Sequence, residues 1–242
     1  MKKFLPLLLI VFIALVSCSD DSSSGNDGYD NPIEIATVQF INMSNTYEDL
    51  DFIYKSHRND AYYYLENISF GEQSQYYDFY ADENIYRAYI TNTDIIVARD
   101  TVSLIKDAFY SVIAVDLDAT VNPVLYTLLN ADSTLASGNA QFKIFSSLNH
   151  DTLNVVDHNT EEVIVYGVKP YQASGYIELS EGTYLFDIIN AESGALIGEL
   201  NALTFIEGVN YTSIIYFNED AEPRIKAFQE NSINLKRAIP LE

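Results

Sequence analysis

Apolar and polar residues alternate with a period of two along much of the chain. Val38, Phe40 and Asn42 fall on one side of such a segment, and Gln39, Ile41 and Met43 on the other. The same rhythm separates Tyr176, Glu178 and Ser180 from Ile177 and Leu179. Period two over four to eight residues marks a half-buried strand. Turn signals part the segments: Ala81-Asp82-Glu83-Asn84, Ser180-Glu181-Gly182 and Glu192-Ser193-Gly194-Ala195. No helical stripe of ten or more residues stands out. Tyr, Ile, Val, Phe and Thr dominate the patterned stretches, which favours strands.

The pattern occurs twice, at an offset near 100. Thr37-Val38-Gln39-Phe40 matches Asn139-Ala140-Gln141-Phe142, and Leu50-Asp51-Phe52-Ile53 matches Leu153-Asn154-Val155-Val156. Ser74 to Phe79 matches Ser174 to Leu179, and Ile85 to Tyr89 matches Thr183 to Asp187. Val102 to Ile105, Tyr110 to Ile113 and Pro123 have counterparts in Leu203 to Ile206, Tyr211 to Ile214 and Pro223. Seven matches in one order imply a duplicated unit. Each block reads as seven or eight short strands at the spacing of an aligned sandwich. The expected fold is therefore all-β: two tandem immunoglobulin-like antiparallel β-sandwiches over residues 33–135 and 136–228. A tail over 229–242 has no counterpart in the repeat. It carries Lys236-Arg237 and either packs on the second block or docks a partner.

Ahead of the repeat, Lys2 and Lys3 precede an unbroken apolar run from Phe4 to Val16. That run is shorter than the roughly 20 residues a bilayer crossing needs, and it suits the core of a signal peptide. Leu15-Val16-Ser17-Cys18 resembles a bacterial lipobox. The resemblance implies a signal peptide over 1–17, lipid on Cys18, and a membrane partner reached through that anchor. Cys18 is the one cysteine of the chain, so no intrachain disulfide forms. Residues 18–32 are rich in Ser, Gly, Asp and Asn and read as a flexible acidic linker. Acidic residues directly after the lipidated Cys resemble a surface-export signal of Bacteroidota-type lipoproteins. That implies an outer-membrane protein, lipid-anchored and on the cell surface.

The strand order brings a second resemblance. Gly175-Tyr176-Ile177-Glu178-Leu179-Ser180-Glu181-Gly182-Thr183-Tyr184 is similar to a motif of the domain of unknown function numbered 4397, which occurs in tandem in bacterial lipoproteins. Block one departs from it, with Gln75 for the Gly and Glu83-Asn84-Ile85 for Gly-Thr-Tyr. The resemblance implies an immunoglobulin-like sandwich and carries no catalytic residue.

The formal charge of -22 becomes more negative when Lys2 and Lys3 leave with the signal. Such a chain repels nucleic-acid phosphate, so a nucleic-acid partner is excluded. No hydrolase elbow, zinc-protease pair, P-loop or dinucleotide motif occurs. His150, Asp151, Asp157 and His158 cluster, but eight residues of strand put the two His about 27 Å apart at ~3.4 Å per residue. They read as polar strand ends, and no metal is assigned; His57 reads as a solvated loop residue. Asp116/Asp118 and Glu219/Asp220 repeat an acidic strand exit, which leaves calcium open. Nineteen Tyr and no Trp leave Tyr62, Tyr63, Tyr64, Tyr76, Tyr77, Tyr80, Tyr86 and Tyr89 open between cross-strand packing and an aromatic platform.

The reading is a non-enzymatic surface lipoprotein without cofactor, acting as a binding or structural module for a protein or glycan partner. The alternatives are a glycan-binding accessory protein of an outer-membrane uptake system, and a hydrolase whose site follows no known motif.

Overall fold

The computed structural model describes residues 34–58, 62–117, 122–130, 135–149, 152–218, 222–230, 235–237 and 239–240. The first half holds β1 (Ile35–Met43), β2 (Asp49–Ser56), β3 (Tyr62–Ser69), β4 (Tyr76–Tyr80), β5 (Glu83–Ile90), β6 (Ile96–Ser103), β7 (Phe109–Val115) and β8 (Val124–Asn130). The second half holds β9 (Asn139–Ser146), β10 (Leu153–Asp157), β11 (Val163–Val168), β12 (Ile177–Ser180), β13 (Gly182–Asn190), β14 (Leu196–Phe205), β15 (Asn210–Phe217) and β16 (Pro223–Gln229). Two short strands follow, β17 (Leu235–Arg237) and β18 (Ile239–Pro240).

The chain is all-β. The first sandwich faces a β17-β4-β1-β7-β8 sheet against a β18-β3-β2-β5-β6 sheet. The second faces β12-β9-β15-β16 against β11-β10-β13-β14. The ladders are antiparallel except β1–β7, β9–β15 and β17–β4, which are parallel. Each sandwich closes on its own apolar interior. Phe40, Phe52, Tyr54, Phe79 and Tyr86 centre the first, with Tyr54 and Phe79 ring centroids 4.1 Å apart. Phe142, Phe186 and Phe205 centre the second.

The duplication extends to single hydrogen bonds. The Tyr110 hydroxyl accepts from the Ile105 amide, and the Tyr211 hydroxyl from the Ile206 amide. Ser74 Oγ accepts from the Phe40 amide, and Ser174 Oγ from the Ile144 amide. These pairs correct the sequence match at the first strand. Val38 stands beside Tyr110 and Phe142 beside Tyr211, so Val38 corresponds to Phe142 and Gln39 to Lys143. The match drawn from the sequence is two residues out. A slip of two keeps every side chain on its face, so the alternation could not reveal it.

A second correction concerns β1. It is buried on both faces, as are most of β7, β9 and β15. The outward face of the β1 sheet lies on the outward face of the β9 sheet. Ile41, Met43, Ile113 and Val115 from the first sandwich pack there with Phe145, Ile214 and Phe228 from the second. The four sheets thus form one stack. The described part of the tail divides: Gln229 and Glu230 stay with the second block, whereas β17 pairs with β4 and β18 with β3, both in the first sandwich.

Candidate functional site

Several residues singled out in the sequence, namely Cys18, Asp118, His150, Asp151, Glu219 and Asp220, lie outside the described residues, as does all of 1–33. The Asp116 carboxylate is already taken by protein donors. It accepts from Ser44 Oγ at 2.7 Å, the Thr46 amide at 2.9 Å and Thr46 Oγ1 at 3.1 Å. Asp157 Oδ1 accepts from the Asn159 and Thr160 amides and closes a turn. His158 Nδ1 sits 2.8 Å from Asp187, and exposed His57 sits 3.3 Å from Glu83. Among the described residues no group of three or more His, Cys, Asp or Glu is placed to hold a metal. An open depression of about 290 Å³ is lined by Thr46, Tyr47, Glu48, Asp49, Ile90, Thr91 and Asn92, and Asp49 there accepts from Ser69 Oγ at 2.7 Å.

Among the described residues, the most deeply buried cation serves the junction between sandwiches. Lys143 and Glu230 are 2% and 3% exposed, with Nζ 3.4 Å from the carboxylate. Lys143 crosses to the first sandwich and donates to the Leu129 carbonyl at 2.7 Å and Asn130 Oδ1 at 2.8 Å. Burial pushes the Lys143 ammonium below its ordinary value, and Glu230 partly restores it. Glu230 also accepts from Thr212 and Tyr176. The first sandwich has the neutral counterpart: Gln39 and Asn130 donate to Ser111 Oγ, and Asn130 also donates to the Tyr76 hydroxyl. Lys143, Thr212, Glu230 and Tyr176 stand where Gln39, Ser111, Asn130 and Tyr76 stand in the other repeat. A buried hydrogen-bonded network in a packed junction positions sheets.

The tyrosines divide by face. Tyr54, Tyr76 and Tyr86 are core residues, and Tyr63 packs on Tyr54 at 5.2 Å. Tyr77 and Tyr80 belong to β4 in the other sheet, with Tyr77 packed on the first core, whereas Tyr62, Tyr64 and Tyr89 look outward from the β3-β2-β5-β6 sheet, at the free end of the stack. Register sets Lys55 beside both Tyr62 and Ile85, and Ile53 beside both Tyr64 and Arg87. Arg87 in turn stands directly opposite Arg99. Lys55 Nζ lies 5.2 Å and Arg87 Cζ 5.6 Å from the Tyr62 ring. The Tyr89 hydroxyl, bonded to the Arg87 guanidinium, raises the Arg87 pKa further. Asp51 neighbours this face, but the residue is 3% exposed and its carboxylate accepts from the Asn67 amide and Thr91 Oγ1.

Like charges directly opposite on a sheet are destabilising. Here two arginines are opposed in a chain with only 13 Lys and Arg against 35 Asp and Glu. The architecture does not demand it. At the equivalent ladder position of the second sandwich, Asp187 stands opposite Glu199. Guanidinium forks and an ammonium spread over three strands fit carboxylate or sulfate oxygens. The tyrosine rings beside them offer flat apolar surface with a polar tip. The scarcity of cations was the signal in the sequence, but Lys55, Arg87 and Arg99 are far apart along the chain and only the ladders join them.

No family model matches the chain, and no curated protein matches its sequence. Solved structures that match include the Bacillus anthracis TIE protein, at 8% identity and a TM-score of 0.26, covering 76% of this chain and 34% of that one. A leucine-rich repeat protein from Bacteroides thetaiotaomicron matches at 12% identity and a TM-score of 0.23, covering 86% and 26%. A candidate cell adhesion protein from Bacteroides fragilis matches at 9% identity and a TM-score of 0.23, covering 77% and 84%. The chain spans about a third of the first of these proteins and about a quarter of the second. Likenesses this distant say nothing about what this chain binds.

Proposed function

We propose that the protein is a non-enzymatic lipoprotein of the bacterial envelope that binds an anionic partner on its β3-β2-β5-β6 face. In this reading lipid on Cys18 holds it at the outer membrane, with the two sandwiches facing outward. The resemblance to the tandem lipoprotein domain numbered 4397 fits the same reading. The observation that carries it is the opposed Arg87–Arg99 pair beside Lys55 and Tyr62. An anion bridging the two opposed guanidinium groups would relieve their repulsion.

An acidic glycan is the partner class that uses both halves of the face. Its carboxylates meet the cations and its rings lie on Tyr62, Tyr64 or Tyr89. This supports a role as an accessory glycan binder in an outer-membrane uptake system. The test is a titration of the lipid-free Cys18→Ser chain with polygalacturonate and with neutral dextran. Polygalacturonate binds, the affinity falls with added salt, and Arg87→Ala weakens it about tenfold or more, since a charged hydrogen bond is worth about 1.5–3 kcal/mol. Equal binding of dextran, or an Arg87→Ala chain with unchanged affinity, overturns the reading.

A further inference from the structure

The two sandwiches share a topology but not an edge. In the first, the tail adds a strand to each sheet on one side. Leu235, Lys236 and Arg237 pair in parallel with Tyr76, Tyr77 and Asp78 of β4. Ile239 and Pro240 then pair with Tyr64 and Tyr63 of β3. The corresponding strands of the second sandwich are β12 and β11, each the last strand of its sheet. Among the described residues nothing extends them.

The difference reaches the core. Phe79 of β4 is 3% exposed, whereas its counterpart Leu179 of β12 is only half-buried. Ile164 on β11 and Ile177 on β12 likewise pack on the second core while still partly open. An edge strand with unpaired amides and carbonyls and a half-covered apolar row is a template for another strand.

We propose that the β12–β11 edge receives the Leu235–Pro240 segment of a second copy, so that copies join head to tail by strand addition. The occupant is set by the repeat. This segment already pairs with the equivalent edge, in a register that puts Arg237 at Asp78. The same register on β12 puts it at Glu178, again with opposite formal charges. Donor and acceptor surfaces differ, so each added copy leaves one of each free and the assembly grows as a chain. The tail's hold on its own first sandwich competes with transfer and makes assembly depend on protein concentration.

Cysteine pairs in the Cys18→Ser chain test this. Asp78→Cys with Arg237→Cys gives an internal disulfide and a monomer, which checks the tail's own register. Glu178→Cys with Arg237→Cys, oxidised at high protein concentration, gives a ladder of linked copies. Excess peptide of residues 231–242, present during the oxidation, prevents that ladder from forming. The inference is overturned if the Glu178→Cys, Arg237→Cys chain stays monomeric while the Asp78 pair forms its bond. It is equally overturned if Glu178→Cys alone cross-links as well as the pair, or if the ladder forms to the same extent with the peptide present during oxidation.

Discussion

At the scale of single residues, the junction network makes the sharpest claim about stability. Lys143 and Glu230 are buried together, and each completes the bonding of the other. Removing one partner of such a pair leaves an uncompensated charge and costs about 3–5 kcal/mol. Lys143→Met is therefore expected to lower the unfolding free energy by that amount in urea titrations. The first sandwich supplies its own repair, because it runs the same positions with Gln39 and Asn130. Lys143→Gln with Glu230→Asn recovers most of the loss. A double variant as weak as Lys143→Met would show that the network's worth lies elsewhere.

The buried tyrosines set the alkaline limit. Burial raises the hydroxyl pKa of Tyr54, Tyr76 and Tyr86. The folded state keeps these protons at a pH where unfolded tyrosine, near 10, releases them. Their stabilisation is full below pH 10 and is lost as pH climbs toward the folded values. Each contributes a slope of up to about 1.4 kcal/mol per pH unit. Lys143, shifted downward, acts with the opposite sign below the ordinary lysine value, and three tyrosines outweigh it. The Tyr86 hydroxyl has no hydrogen-bond partner. Tyr86→Phe should therefore raise stability at pH 8 by about 1 kcal/mol and flatten the decline between pH 10 and 11. Denaturant midpoints across pH would show it, and an unchanged slope would refute the assignment.

At the scale of elements, the strands and their duplication were legible because local alternation and turn residues dictate them. Thr183-Tyr184 after Gly182, and Tyr110 and Tyr211 opening matched strands, are local signals. What was not legible depends on partners remote in sequence. Alternation assigned β1 one wet face, yet Ile41 and Met43 on that face meet Phe145 and Ile214. Their apolar character was the clue, and only the second sandwich explains it. The tail's destination was hidden for the same reason, since pairing to β4 and β3 involves backbone groups that any sequence offers. Gly198 on β14 tests how tightly a sandwich edge closes. A Cβ there would stand 3.0 Å from both the Cβ and the carbonyl oxygen of Pro223 on β16. Gly198→Ala is expected to cost about 1–3 kcal/mol by overpacking. A neutral result would mean that β14 slides freely past β16.

At the scale of the whole molecule, duplication made two sandwiches that use their faces differently. One outward face of each is spent on the junction, through an apolar half and a polar half. The ladders of the two remaining sheets differ at matched positions: Arg87 is in register with Arg99, and Asp187 with Glu199. Of the candidate site, the sequence left the tyrosines of the first block open between cross-strand packing and an aromatic platform. It could not disclose that β2, β5 and β6 bring Lys55, Arg87 and Arg99 to one surface. The functional reading rests on that surface being where the partner sits. Hydrogen exchange of the lipid-free chain, with and without saturating polygalacturonate, locates the partner directly. The account predicts slowed exchange across β2, β3 and β5, abolished by Lys55→Glu with Arg87→Glu. Protection confined to the second sandwich, or surviving that charge reversal, would contradict it.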